Sequence, residues 1–221
     1  LDEAPFSVEL EQPGIGLAKN AELDLKVKVQ RSEGFEGALY LEMDWLPPGV
    51  TKQPPLIIPA GESTGSYKIS ATPQSKDGQY RLSISARENE GGNPRSGVGL
   101  HYIASPPIDV EVVDPYLEIT LDRAAIEQGK TGKLIGTIKH LRPFEGVASA
   151  KLLRLPAGVT LMEQPEIKPG DESVTFVLQV APDALTGQAK EIACDVAISE
   201  KGQIIHQQTG SGILRIDETR K

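Results

Sequence analysis

Three histidines, one cysteine and two short acidic clusters are all that this 221-residue chain offers to nucleophilic or metal chemistry. Hydrolysis needs a nucleophile with a base and an orienting group, or two carboxylates at a defined separation. His101 follows Leu100 as His206 follows Ile205. Aligning the two halves of the chain makes these histidines one strand position, which points to a structural role. His140 precedes the turn at Pro143 and is expected in solvent. No G-x-S-x-G elbow, H-E-x-x-H pair or phosphate-binding glycine loop occurs. The chain is therefore not expected to be an enzyme. Glu88-Asn89-Glu90 and Asp171-Glu172 lack the spaced ladder of a calcium loop and read as solvated turn charges. No metal or other cofactor is expected. Cys194 shares the parity of Ile192 and Val196 and reads as a buried small hydrophobe without an activating neighbour.

The elements that would position any site come from an internal repeat. Leu46-Pro47-Pro48-Gly49-Val50-Thr51 returns as Leu155-Pro156-Ala157-Gly158-Val159-Thr160, a shift of 109. The same shift carries Phe35-Glu36-Gly37 onto Phe144-Glu145-Gly146, Ile58 onto Ile167, and Gly78-Gln79 onto Gly187-Gln188. Two copies of one domain follow, at 1–114 and 115–221. Each is close to the commonest domain size and long enough for its own core.

Within each copy the apolar residues alternate at strand period. Leu23, Leu25, Val27 and Val29 are interleaved with Asp24, Lys26 and Lys28, and Val174, Phe176, Leu178 and Val180 repeat the pattern. Pro47-Pro48-Gly49 ends a ladder, because proline donates no N–H and glycine accepts unusual turn angles. About seven strands per copy, with turns near ten-residue spacing, predict an all-β chain of two tandem antiparallel β-sandwiches of the immunoglobulin-like type. Only Ala124-Ala125-Ile126-Glu127 has the composition for a single helical turn.

The turns Pro59-Ala60-Gly61 and Lys168-Pro169-Gly170, each preceded by Leu-Pro-x-Gly-Val, resemble those of bacterial secreted immunoglobulin-like repeats. Pro73 to Gly78 and Pro182 to Gly187 match the closing signal of such modules, which occur beside glycosidases and in large multidomain surface proteins. The resemblance implies a spacer or accessory role in a larger bacterial chain, outside the cytoplasm. Leu1-Asp2-Glu3-Ala4-Pro5 is not a natural start, which agrees with an excised piece.

The copies differ in charge and in two places. Residues 1–114 hold 10 basic and 17 acidic side chains, a net −7, and residues 115–221 hold 13 and 14, a net −1. Neither has the basic concentration of a nucleic-acid binder, and no stretch reaches the ~20 apolar residues of a membrane span. The first copy carries about five extra residues in Arg87-Glu88-Asn89-Glu90-Gly91-Gly92-Asn93-Pro94-Arg95, read as a hairpin loop between the last strands. Trp45, the sole tryptophan, stands where the second copy has Arg154, so it is expected at a strand end and partly exposed. The candidate interaction residues are Trp45, Arg87, Glu88, Glu90, Asn93 and Arg95. The chain is read as a non-catalytic interaction or spacer module. The alternative is a carbohydrate-binding accessory module of a hydrolase, using Trp45, Tyr40 or the 87–95 loop. The partner is accordingly a protein or a glycan.

Overall fold

Alternation of buried and exposed residues runs through nearly every strand of the computed structural model, which describes residues 4–88 and 101–219. The chain divides into two compact units, Leu1–Val113 and Asp114–Lys221. In unit 1, β1 (Phe6–Leu10), β3 (Ala21–Arg31), β7 (Thr64–Ala71) and β5 (Val50–Lys52) pair antiparallel in that order. The strands that complete the sandwich are β6 (Leu56–Ile58), β4 (Leu39–Glu42), β9 (Ser85–Glu88) and β10 (Tyr102–Ala104). The chain enters β9 from β8 (Gly78–Leu82) and leaves β10 for β11 (Ile108–Val113), which also pairs parallel with β2 (Leu17–Ala18). Pro106 and Pro107, which donate no N–H, separate β10 from β11.

Unit 2 shows the same division. One sheet runs β12 (Leu117–Leu121), β14 (Thr131–His140), β18 (Ser173–Val180) and β16 (Val159–Leu161). The other runs β17 (Glu166–Ile167), β15 (Ala148–Leu153), β19 (Gly187–Glu200), β20 (Gln203–Asp217) and, parallel to β20, β13 (Arg123–Glu127). Each unit is an immunoglobulin-like sandwich whose first two strands pair with different partners, β1 with β3 and β2 with β11, β12 with β14 and β13 with β20. Ala124–Glu127 is therefore strand β13 and not a helical turn. Pairing along β20 and burial of Ile126 outweigh the weak local preference of two alanines.

The cores are the expected alternating residues. Leu39, Leu41, Ile69 and Ile84 in unit 1, and Leu134, Phe176, Leu178 and Ile192 in unit 2, have no exposed surface. Each such side chain contributes about 1.5–3 kcal/mol by leaving water. Cys194 is buried among them, and burial, with a smaller push from the Asp195 charge, raises its thiol to about 12. It stays a neutral thiol at physiological pH.

The repeated Leu-Pro-x-Gly-Val stretch is a tight turn in both units. Val50 N donates to Pro47 O at 3.0 Å and Val159 N to Pro156 O at 3.1 Å. Gly49 and Gly158 take φ of +84° and +81°. Their carbonyls then accept from Thr72 N at 3.0 Å and Ala181 N at 2.8 Å, tying the turn to the end of β7 or β18. A second anchor is also duplicated. Arg31 lies over Phe35 and donates to the carbonyls of Gly37, Pro59 and Glu62. At the 109 shift, His140 stacks on Phe144 and places Nε2 2.8 Å from Asp171 O. His140 is thus half-buried and engaged, not solvated as expected from its place before Pro143.

Candidate interaction face on the first unit

Strand parity sends Leu39, Leu41 and Met43 into the core of unit 1, so Tyr40, Glu42 and Asp44 share the opposite face. Register then sets their neighbours. Tyr40 sits between Ile57 of β6 and Arg87 of β9, and Arg87 sits opposite Tyr102 of β10. Ile57, Tyr40, Arg87 and Tyr102 thus form one row across four strands. The Arg87 guanidinium lies 4.3 Å from the Tyr40 ring centre. It makes no hydrogen bond or ion pair with the described residues.

The next row is polar and tightly bonded. Asp44 Oδ2 accepts from Ser85 Oγ and, at 2.6 Å, from Tyr102 Oη. These donors hold the Asp44 carboxyl below its usual range, Ser85 first, and the same bond pushes the Tyr102 phenol upward. The depressed carboxyl adds stability above the ordinary Asp range, a contribution lost as pH falls through its folded-state value. Lys52 Nζ bonds Glu42 Oε1 at 2.6 Å and Met43 O at 2.7 Å, which lowers the Glu42 carboxyl and raises Lys52. Both carboxylates are ionised at neutral pH.

Trp45 follows Asp44 and is 57% exposed, its ring tilted against Tyr80 at 6.5 Å. The expectation of a partly exposed tryptophan at a strand end agrees with this placement. In unit 2 the corresponding Arg154 instead donates from Nε to Glu191 O at 2.7 Å. Of the candidate residues, Trp45 and Arg87 stand at this face. Glu88 does not. Its side chain is only 11% exposed and pairs with His101 Nδ1 at 2.9 Å. Glu88 continues β9 on the parity of Ala86, which turns it inward; it is not a solvated turn charge. Glu90, Asn93 and Arg95 lie outside the described residues. Tyr102 was not singled out from the sequence, although Arg87 and a following hairpin return imply a residue opposite it.

The two histidines also part company. Arg87 pairs with Tyr102 while Ala197 pairs with His206, so the shift between copies falls from 110 to 104. The first copy therefore has six extra residues here, not five, and His206 corresponds to Tyr102. His101 corresponds to Ile205, on the other face. His206 instead approaches the buried Asp195 at 3.1 Å, as does Lys151 Nζ. Among the described residues, no cluster of three or more His, Cys, Asp or Glu side chains is placed to hold a metal ion. Nor do the described residues contain a helix long and apolar enough to cross a membrane.

No protein-family model matches the sequence, and no curated protein matches it. Similar solved structures include a protein of unknown function from Porphyromonas gingivalis W83, at 17% identity over 96% of this chain and 100% of that one, with a TM-score of 0.31. The D0-D1 domain of Intimin aligns at 8% identity over 95% and 97% of the two chains, with a TM-score of 0.32. Native E. coli alpha-2-macroglobulin aligns at 13% over 96% of this chain and 17% of its own, with a TM-score of 0.35. At such scores these likenesses carry no inference about what this chain does.

Proposed function

We propose that this chain is a non-catalytic interaction or spacer module of a larger bacterial envelope or secreted protein, working outside the cytoplasm. The observation that carries this reading is the unit 1 face. Trp45 and Tyr102 are exposed there yet held in place by Tyr80 and Asp44. Side chains fixed before a partner arrives lose little entropy on binding, which suits recognition. Two compact units, each with its own buried core, also suit a spacer. Carbohydrate is the second reading of the same face, favoured by the exposed rings of Trp45 and Tyr102.

Fractionation of the producing cells with an antibody raised against this chain tests the placement. The parent protein is expected in the periplasm, at the cell surface or in the medium. Recovery in the cytosol alone would contradict the proposal.

A further inference from the structure

Seven of the ten aromatic residues lie in unit 1. Two packed aromatics are common to both copies, Tyr67 with Phe176 and Phe35 with Phe144, whereas the buried Phe6 stands where unit 2 has Leu117. At the face just described the copies disagree. Tyr40, Trp45, Tyr80 and Tyr102 stand where unit 2 has Ser149, Arg154, Ala189 and His206. Unit 2 closes the same sandwich without these rings, so the fold does not require them. Trp45 meets Tyr80, and Tyr102 bonds Asp44 beside it, so three of these rings gather about one stretch of one copy, and a ligand accounts for that.

We infer that this face of unit 1 binds an uncharged glycan chain, a proposal that rests on reading the face as the interaction surface. A pyranose ring presents an apolar C–H side and a rim of hydroxyls. Recognising it takes a flat ring to stack on, with charged donors and acceptors beside it. The face supplies both. Trp45 and Tyr102 are 57% and 62% exposed, and each is held by a partner. Asp44 directs both of its bonds to Oδ2, which leaves Oδ1 to accept from a sugar hydroxyl. Arg87, set 4.3 Å over the Tyr40 ring, brings N–H donors to the same row, where hydroxyl oxygens can accept them. The chemistry favours an uncharged chain over an acidic one. Glu42 and Asp44 are both ionised here, and residues 1–114 carry a net −7.

Trp45 is the only tryptophan, so its fluorescence reports this site alone. The chain is titrated with soluble β-glucan, mannan and xylan, with polygalacturonate as the anionic control, and run in gels containing the same polymers. An uncharged glycan is expected to change the emission and retard migration, and polygalacturonate to do neither. Trp45→Ala and Tyr102→Ala, with wild-type circular dichroism, are each expected to weaken retardation at least about tenfold. No response to any uncharged glycan, or retardation unchanged in both variants, would overturn the proposal. Binding to isolated bacterial envelopes separates this failure from a failure of the face itself. Envelope binding that needs Trp45 and Tyr102, but is destroyed by protease and unaffected by glycan competitors, sinks the glycan and keeps the face. Envelope binding indifferent to both residues sinks both.

Discussion

Replacing Gly49 with alanine is expected to destabilise unit 1 by about 2–4 kcal/mol, and Gly158→Ala to do the same in unit 2 to a smaller extent. Two costs add. At φ of +84° and +81° an L-residue is strained, by about 1–2 kcal/mol. An added Cβ at Gly49 would also lie 2.7 Å from Ser75 Cα and 2.8 Å from its N, atoms of backbone that cannot swing aside. Ser75 is itself pinned, donating from Oγ to Gly49 O at 2.8 Å. At Gly158 the nearest atom is the Ala184 methyl at 2.9 Å, with its Cα at 3.1 Å. Urea unfolding followed by Trp45 emission reads the first variant without interference from unit 2. Unchanged midpoints would mean that the turn does not need glycine.

The second large effect belongs to Gln207, which is fully buried in β20. Its Oε1 accepts from Tyr116 N at 2.7 Å and its Nε2 donates to Leu117 O at 2.6 Å. Thr209 Oγ1 likewise accepts from Ile119 N at 3.0 Å. Side chains therefore replace a backbone ladder where β12 runs beside β20. Gln207→Leu keeps the volume but strands one buried N–H and one buried carbonyl, each costing about 1–3 kcal/mol. A loss of about 2–4 kcal/mol, and of roughly 10–20 °C in Tm for a domain of this size, is expected in unit 2. Circular dichroism should record it while the Trp45-detected transition of unit 1 stays in place. A Tm within about 2 °C of wild type would show that these bonds contribute little.

Strand parity was the most legible feature, because one buried face imposes a period of two on residues such as Leu23 to Val29 and Val174 to Val180. The 109 shift also located the glycine turn and the exposure of Trp45. It holds a further correspondence. It places His140 on Arg31, and both sit on the phenylalanine of the same turn, so the engagement of His140 was available in the sequence. Gln207 shares the parity of Ile205, and a polar residue on a buried parity signals a backbone partner. Other features were not legible. β13 is a strand only because β20 lies beside it. Pairing His101 with His206 was a slip of one residue, enough to move a side chain to the opposite face. The loop length that sets that register leaves no local mark. The unit 1 face was half legible. Trp45 and Arg87 were found as differences between copies, whereas Tyr102 emerges only from the register of β9 and β10.

The central claim is that the rings of Trp45 and Tyr102 serve recognition and not folding. Thermal unfolding of the double variant Trp45→Arg/Tyr102→His, which installs the residues found at the same positions in unit 2, tests it most directly. Surface substitutions of this kind usually stay within about 0.5 kcal/mol each. The account predicts a cooperative transition within about 5 °C of wild type. Loss of a cooperative transition in unit 1, or a fall of more than about 15 °C, would show that the rings hold the sandwich together and would contradict it.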